Sequence, residues 1–194
     1  SDGMRTLTQK QARAFLLHKH GLAGPWRFSG KQGALDFVRQ VGAVQFDPVD
    51  VCGRNADLVL LARVKGYHKE MLEALLYKDR LLIDYFDKCL NILPVEVWPH
   101  LERRRAAYRE RTRSMEQIDE VAPAILEALR GRESLCAREL DLPGTVSWYW
   151  SDTTLARAAL EALYFRGDLV VHRKSGTQKH YALAERHIPA PLLQ

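Results

Sequence analysis

DTTLARAALEALYFRGDLVVHRKSGTQKHYALA, residues 152–184, decides the fold. Leu155, Ala159, Ala162 and Leu163 recur at helical spacing and form one apolar stripe. Asp152 is placed to cap that helix, and Gly167 to close it. Two short runs rich in β-branched and aromatic residues follow, DLVVHR and KHYALA. KSGTQ between them is a turn-rich tip, so the pair reads as a β-hairpin.

Working backward, EQIDEVAPAILEALRG (116–131) predicts a helix stopped by Gly131. Ser134 is placed to cap a short helix, LCARELD, which LPG ends. Helix, helix, helix, hairpin is the order of a winged helix. In that fold the third helix usually lies in the DNA major groove and the hairpin wing touches the backbone. The first half is a fainter version. T-x-x-Q at Thr8 to Gln11 is a capping box, followed by Ala12, Phe15 and Leu16 on one helical face, with Gly21 as a stop. S-x-x-Q at Ser29 to Gln32 repeats the signal, Leu35, Val38 and Val41 follow, and Gly42 ends the helix. AVQF is extended, Asn55 caps a helix through DLVLLARV to Gly66, and HKEMLEALLYKD is a further short helix. LLIDYFDKCLNILP reads as extended and leads into a helix carrying RRRAAYRERTR (103–113). The expected fold is mainly α with small β-hairpin wings, in tandem winged-helix (helix-turn-helix) units. The expected units are residues 1–113 and 114–194.

The chain has 194 residues and a net charge of +5. No apolar run approaches ~18 residues, so no membrane span is expected. The N-terminal stretch lacks the apolar core of a secretory signal. Three dispersed cysteines form no CxxC pair and suit the reducing cytosol. Cytoplasmic location is expected, with nucleoid association when on DNA. The charge is concentrated. RRRAAYRERTR holds six arginines and one glutamate, a local excess equal to that of the whole chain. Such a run is either a solvated helix face or a phosphate-binding one, and arginine suits the second because its fork matches phosphate oxygens.

Several chemistries lack their sequence marks. The chain has no H-E-x-x-H motif or Cys/His cluster, no G-x-G-x-x-G, no phosphate-binding P-loop and no G-x-S-x-G elbow. No metal, nucleotide or other cofactor is expected. Gln45 and Asp47 are the exception. In an extended segment they project to one side while Val44 and Phe46 anchor the other. A carboxylate can take a proton from water or stabilise a cation, and an amide can hold that water. The plainer reading is that Asp47-Pro48 opens a turn and Gln45 satisfies a backbone group. A Mg²⁺ site built on Asp50, Asn55 and Asp57 is a third reading.

VQFDPVDVCGRNADLVLLARVKGY (44–67) resembles the catalytic-loop region of the AlkZ/YcaQ-like winged-helix DNA glycosylases. Gln45-Phe46-Asp47 looks like the Gln-Φ-Asp, YcaQ-like branch, with Arg54 and the Gly66-Tyr67 pair in matching context. VSWYW and residues 155–189 are similar to the family's second winged helix. The resemblance implies a monofunctional glycosylase that excises alkylated bases from DNA, with bulky or crosslinking lesions associated with this branch. It implies that Asp47 activates water and supports an oxocarbenium-like sugar, that Gln45 positions water or substrate, and that Phe46 is a buried anchor. Where many members carry a His-Glu pair, this chain reads DYFDKCL, with Asp87 and Lys88 near that place. Members usually continue into a third winged helix and a β-rich domain, so these 194 residues are expected to be an N-terminal portion or else a short form.

Double-stranded DNA is the expected partner. Arg54, Arg103, Arg104, Arg105, Arg157, Arg173, Lys174 and Lys179 are the candidate contacts. Arg157 and Glu161, four apart, can instead pair with each other. Trp148, Tyr149 and Trp150 can wedge a duplex or pack inside the fold. A non-catalytic winged-helix DNA-binding or regulatory protein is the alternative. Such regulators commonly dimerise to match two half-sites, and no heptad run supplies a zipper, which counts against that alternative; the expected state is a monomer.

Overall fold

The computed structural model describes residues 6–45, 55–86 and 89–193. Two compact units divide the chain between Pro94 and Val95. The division falls before the arginine run and not after it, because the basic helix packs within the second unit.

The first unit opens with α1 (Gln9–Lys19), where Thr8 and Gln11 form the expected reciprocal capping box. The face expected to be apolar is not covered: α1 buries no residue, and Phe15 and Leu16 are exposed. A two-residue strand, β1 (Phe28–Ser29), leads into α2 (Gly30–Val41). Ser29 does sit at the start of α2, but its hydroxyl makes no capping bond. It donates instead to Lys65 O at 3.5 Å. Gly33 is required here, since a β-carbon would come within 2.8 Å of the Phe28 carbonyl carbon. β2 (Val44–Gln45), α3 (Asn55–Arg63) and β3 (Val64–Lys65) follow. The α3 helix stops short of Gly66 because Val64 and Lys65 pair in parallel with β1. Next come α4 (Lys69–Glu73), a wider helical turn over Ala74–Lys78, and the hairpin β4 (Leu82–Phe86) and β5 (Leu90–Pro94). Leu35, Phe37, Val38, Leu60, Leu75 and Ile92 are central to its core.

The second unit starts with a 3-10 segment (Val95–Leu101) running into α5 (Glu102–Glu110) and then α6 (Met115–Arg130). Arg186 closes the C-terminal end of α6, its guanidinium donating to the carbonyls of Leu129, Arg130 and Arg132. The short helix expected after Ser134 is a single 3-10 turn, Ala137–Glu139, capped by Cys136. β6 (Thr145–Val146) and β7 (Thr153–Thr154) pair, followed by α7 (Leu155–Arg166). The cap of α7 is Thr154, whose hydroxyl accepts from Arg157 N–H at 3.3 Å, and not Asp152. Pairing in β7 keeps Thr153 and Thr154 extended, which moves the helix start two residues on. The α7 helix is buried on nearly every side, beyond the four-residue stripe. β8 (Leu169–Ser175) and β9 (Gln178–Leu183) complete the predicted hairpin.

The units share a strand order. In the first, β2 adds to β5, giving β2-β5-β4. In the second, Leu135 bridges to Tyr181 on β9, with β8 beyond. The row Val44–Ile92–Asp84 thus corresponds to Leu135–Tyr181–Val171. The likeness is confined to these three positions: the first unit adds a parallel β1-β3 pair and the second an antiparallel β6-β7 pair. Among the described residues no helix is long and apolar enough to cross a membrane.

Candidate functional site

Gln45 stands on the edge strand of the first unit's sheet. Val44 lies opposite Ile92 and is buried; Gln45 lies opposite Asn91 and is exposed. The alternation expected from the sequence is present. Residues paired across strands share a face, so Gln45, Asn91 and Tyr85 form one row across β2, β5 and β4. Tyr85 is fully buried. Asn91 is oriented by its own turn, its amide donating to Cys89 O at 2.9 Å. This is an amide pair with one exposed member on a firm apolar base. Such a pair can accept and donate to a water or a base edge. Asn91 is 46 positions away in sequence, and only strand register brings it to Gln45.

Phe46, Asp47, Asp50, Arg54, Asp87 and Lys88 lie outside the described residues. Asp57 is inside them, accepting a hydrogen bond from the Tyr67 hydroxyl. Burial and this neighbouring carboxylate raise the Tyr67 pKa far above the usual phenol range. Asp57 is therefore engaged by a buried phenol, which weakens its case as a Mg²⁺ ligand.

The arginine run separates into two kinds of residue. Arg103 and Arg111 are exposed, and Arg104 is half-buried. Arg105 turns inward and is 4% exposed. It donates to Trp98 O at 2.7 Å and to Glu102 Oε2 at 3.1 Å, and its guanidinium lies 4.2 Å over the Trp98 ring. Arg109 donates to Arg166 O at 2.9 Å and also pairs with Glu102. Arg113 donates to Trp148 O at 2.6 Å. From the facing helix, Arg166 is buried and donates to Thr112 Oγ1 at 3.2 Å and Asp119 Oδ1 at 2.6 Å. Tyr108 stacks on Phe165 between the same helices. Half of the run thus joins α5 to the body of the unit, and Arg105 is not on the surface where a phosphate contact was expected.

The hairpin side of the unit gathers the remaining cations. A cleft of about 270 Å³ lies between the 137–139 turn, α7 and the hairpin tip. Arg138, Arg157, Glu161 and Lys179 line it. Arg157 is exposed, and among the described residues no ion pair joins it to Glu161. Lys174 and Lys179 lie directly opposite each other across the hairpin, and exposed Arg173 opposes His180. Like charges placed side by side add to the positive potential of this side of the hairpin. Arg138 is a cleft residue that no sequence pattern marks, since a three-residue turn has no helical face to read.

One group among the described residues could present ligands to a metal. The Cys136 thiol, a Glu139 carboxylate oxygen and a His180 ring nitrogen lie within 4.8 Å of one another. Glu139 is already engaged by Cys136 N–H at 2.9 Å and by Arg132. C-x-x-E with a histidine 41 residues on is not a recognised ligand spacing, so the sequence did not signal it.

A family model described as DNA glycosylase AlkZ-like matches residues 38–194. The chain belongs to the AlkZ-like DNA glycosylase family. No curated protein and no solved structure matches it. The matched region takes in the amide row around Gln45, the arginine-braced helix pair and the cationic hairpin. Membership in the AlkZ-like family supports a DNA glycosylase role in general and makes DNA the substrate.

Proposed function

We propose that the protein is a monofunctional winged-helix DNA glycosylase that hydrolyses the N-glycosidic bond of alkylated or crosslinked bases in duplex DNA, working as a monomer. The observation that carries this is the exposed Gln45 amide over buried Val44, two residues before Asp47, inside the family-matched region. The tandem winged-helix reading draws support from the strand order that the two units share.

In this reading Asp47 takes the proton of a water that Gln45 holds. The water oxygen bonds to C1′ as the C1′–N bond breaks, and its electron pair leaves with the base. An alkylated base is cationic and departs neutral, so no acid need protonate it. The carboxylate also stabilises the oxocarbenium-like sugar electrostatically. No lysine Schiff base is involved. Arg103, Arg104, Arg157, Arg173, Lys174 and Lys179, together with Arg54, supply phosphate contacts that hold register on the duplex. Arg105 acts at one remove, by holding α5 in place.

The test is to incubate the protein with duplex carrying N7-alkylguanine or a nitrogen-mustard crosslink and to measure abasic sites. Product from the wild type, lost in Asp47→Asn and reduced in Gln45→Ala with DNA binding retained, is the expected result. Binding without abasic product from wild-type protein would leave the non-catalytic DNA-binding reading in its place.

A further inference from the structure

The loop between β6 and β7 presents one indole to solvent on a braced base. Thr145 pairs with Thr154 and Val146 with Thr153, closing residues 147–152 into a loop. Arg113 donates to Trp148 O at 2.6 Å, and the Ser114 hydroxyl donates to Ser147 O at 2.7 Å. The Trp148 ring is buried and meets Tyr149 edge-on, with centroids 4.8 Å apart. Tyr149 in turn meets Phe165 of α7 at 6.2 Å. Trp150 has none of this cover and is 88% exposed.

The three aromatics of SWYW therefore divide. Trp148 is buried, Tyr149 is partly exposed but leans on Trp148 and Phe165, and Trp150 is left at the loop's outer side. A large aromatic left in water forgoes the burial its surface favours. Single exposed apolar residues are common, so exposure alone decides nothing. The bracing and the position add to it. This loop feeds directly into Thr154, the cap of α7, and Arg157 stands in the first turn of that helix on the cationic cleft. A planar ring on a firm support, on a loop that leads into a helix carrying an exposed arginine in its first turn, is an arrangement suited to holding an unstacked base beside the backbone phosphates.

We infer that Trp150 is a base-stacking site, its indole packing on the face of a nucleobase that is unpaired or at an opened step. The inference rests on the DNA-binding reading of the second unit and adds to it a contact with bases as well as phosphates. A stacked contact of this kind tolerates any base, so it would favour disrupted over intact duplex without reading sequence.

The experiment uses the whole chain and a duplex with a single unpaired 2-aminopurine at its centre. The wild type is compared with Trp150→Ala, Trp150→Phe and Arg157→Ala. Wild-type protein should quench the 2-aminopurine, and Trp150→Ala should lose the quench and bind about 5- to 150-fold more weakly. Trp150→Phe should keep part of both. The slope of log affinity against log salt should be unchanged in Trp150→Ala and shallower in Arg157→Ala. All three variants should melt with the wild type, since both side chains are exposed. If Trp150→Ala binds within twofold of wild type and quenches equally, the stacking site is overturned while the phosphate-binding reading stands. If the wild type binds no DNA, both are overturned.

Discussion

The stem of Arg105 occupies the place where a β-carbon on Gly167 would stand. Gly167 also has φ of 89°, the left-handed region that favours glycine. The sequence reads it only as a helix stop; in the structure it is also the clearance that lets a buried arginine pass. Gly167→Ala should therefore lower stability by about 3 kcal/mol, of which about 1–2 is backbone strain and the rest the displaced arginine. In an Arg105→Ala background the same change should cost only the backbone part, about 1–2 kcal/mol. Denaturant unfolding of the four proteins measures this coupling, and equal costs in both backgrounds would disprove the contact.

Arg103 and Arg105 are two residues apart and should fail differently. Arg103 is exposed, so Arg103→Ala should leave stability within about 0.5 kcal/mol while making the salt dependence of DNA binding shallower by about one unit of slope. Arg105→Lys should lower stability by about 2 kcal/mol and leave the slope alone. A lysine cannot reach Trp98 O and Glu102 together while lying flat on the indole. Paired unfolding curves and salt titrations separate the two effects.

The start of α7 offers a direct check on which residue caps it. Thr154→Ala should cost about 1 kcal/mol, because one of the helix's free N–H groups loses its acceptor. Asp152→Ala, at an exposed position in the loop between β6 and β7, should stay within about 0.5 kcal/mol. Thermal melts of the two variants decide it.

What the sequence disclosed follows the distance over which each feature is determined. The α7 helix and the hairpin after it are local, set by apolar spacing, Gly167 and the KSGTQ turn, and they were readable. The alternation of Val44 and Gln45 was readable for the same reason. The partner of Gln45 was not, because Asn91 reaches it through strand register. The arginine run was not either. Arg105 meets the Trp98 carbonyl because the 3-10 segment folds back beside α5, and whether Arg109 meets phosphate or carbonyl depends on α5 packing on α7, whose Arg166 is 57 positions away. The cap at Asp152 was misplaced because β7 is only two residues long and gains its pairing from Thr145 and Val146. The Phe15 and Leu16 face of α1 was readable as an apolar stripe, but a stripe does not say what covers it.

Acid should weaken the second unit through Glu139. Its carboxylate accepts the Cys136 N–H, and this backbone bond is the main reason its pKa is held down to about 2. The Cys136 side chain and Arg132 lower it further. In the unfolded chain a glutamate titrates near 4.3. A group depressed in the folded state contributes stability that is fully present above its unfolded pKa and is lost as pH falls through the folded one. The contribution of Glu139 should thus be complete at neutral pH, decline below about pH 4.3 and be gone by about pH 2. Glu139→Gln keeps the size and one acceptor oxygen but removes the charge, so it should be less stable than wild type at pH 7. The two proteins should converge as pH is lowered across that window. Because the pair with Arg132 is on the surface, added salt should reduce its share of the difference, while the backbone bond should survive. Urea unfolding at pH 7, 4 and 2.5, at low and high salt, reads all of this, and a stability difference that does not change with pH would exclude the Cys136–Glu139 cap as its source.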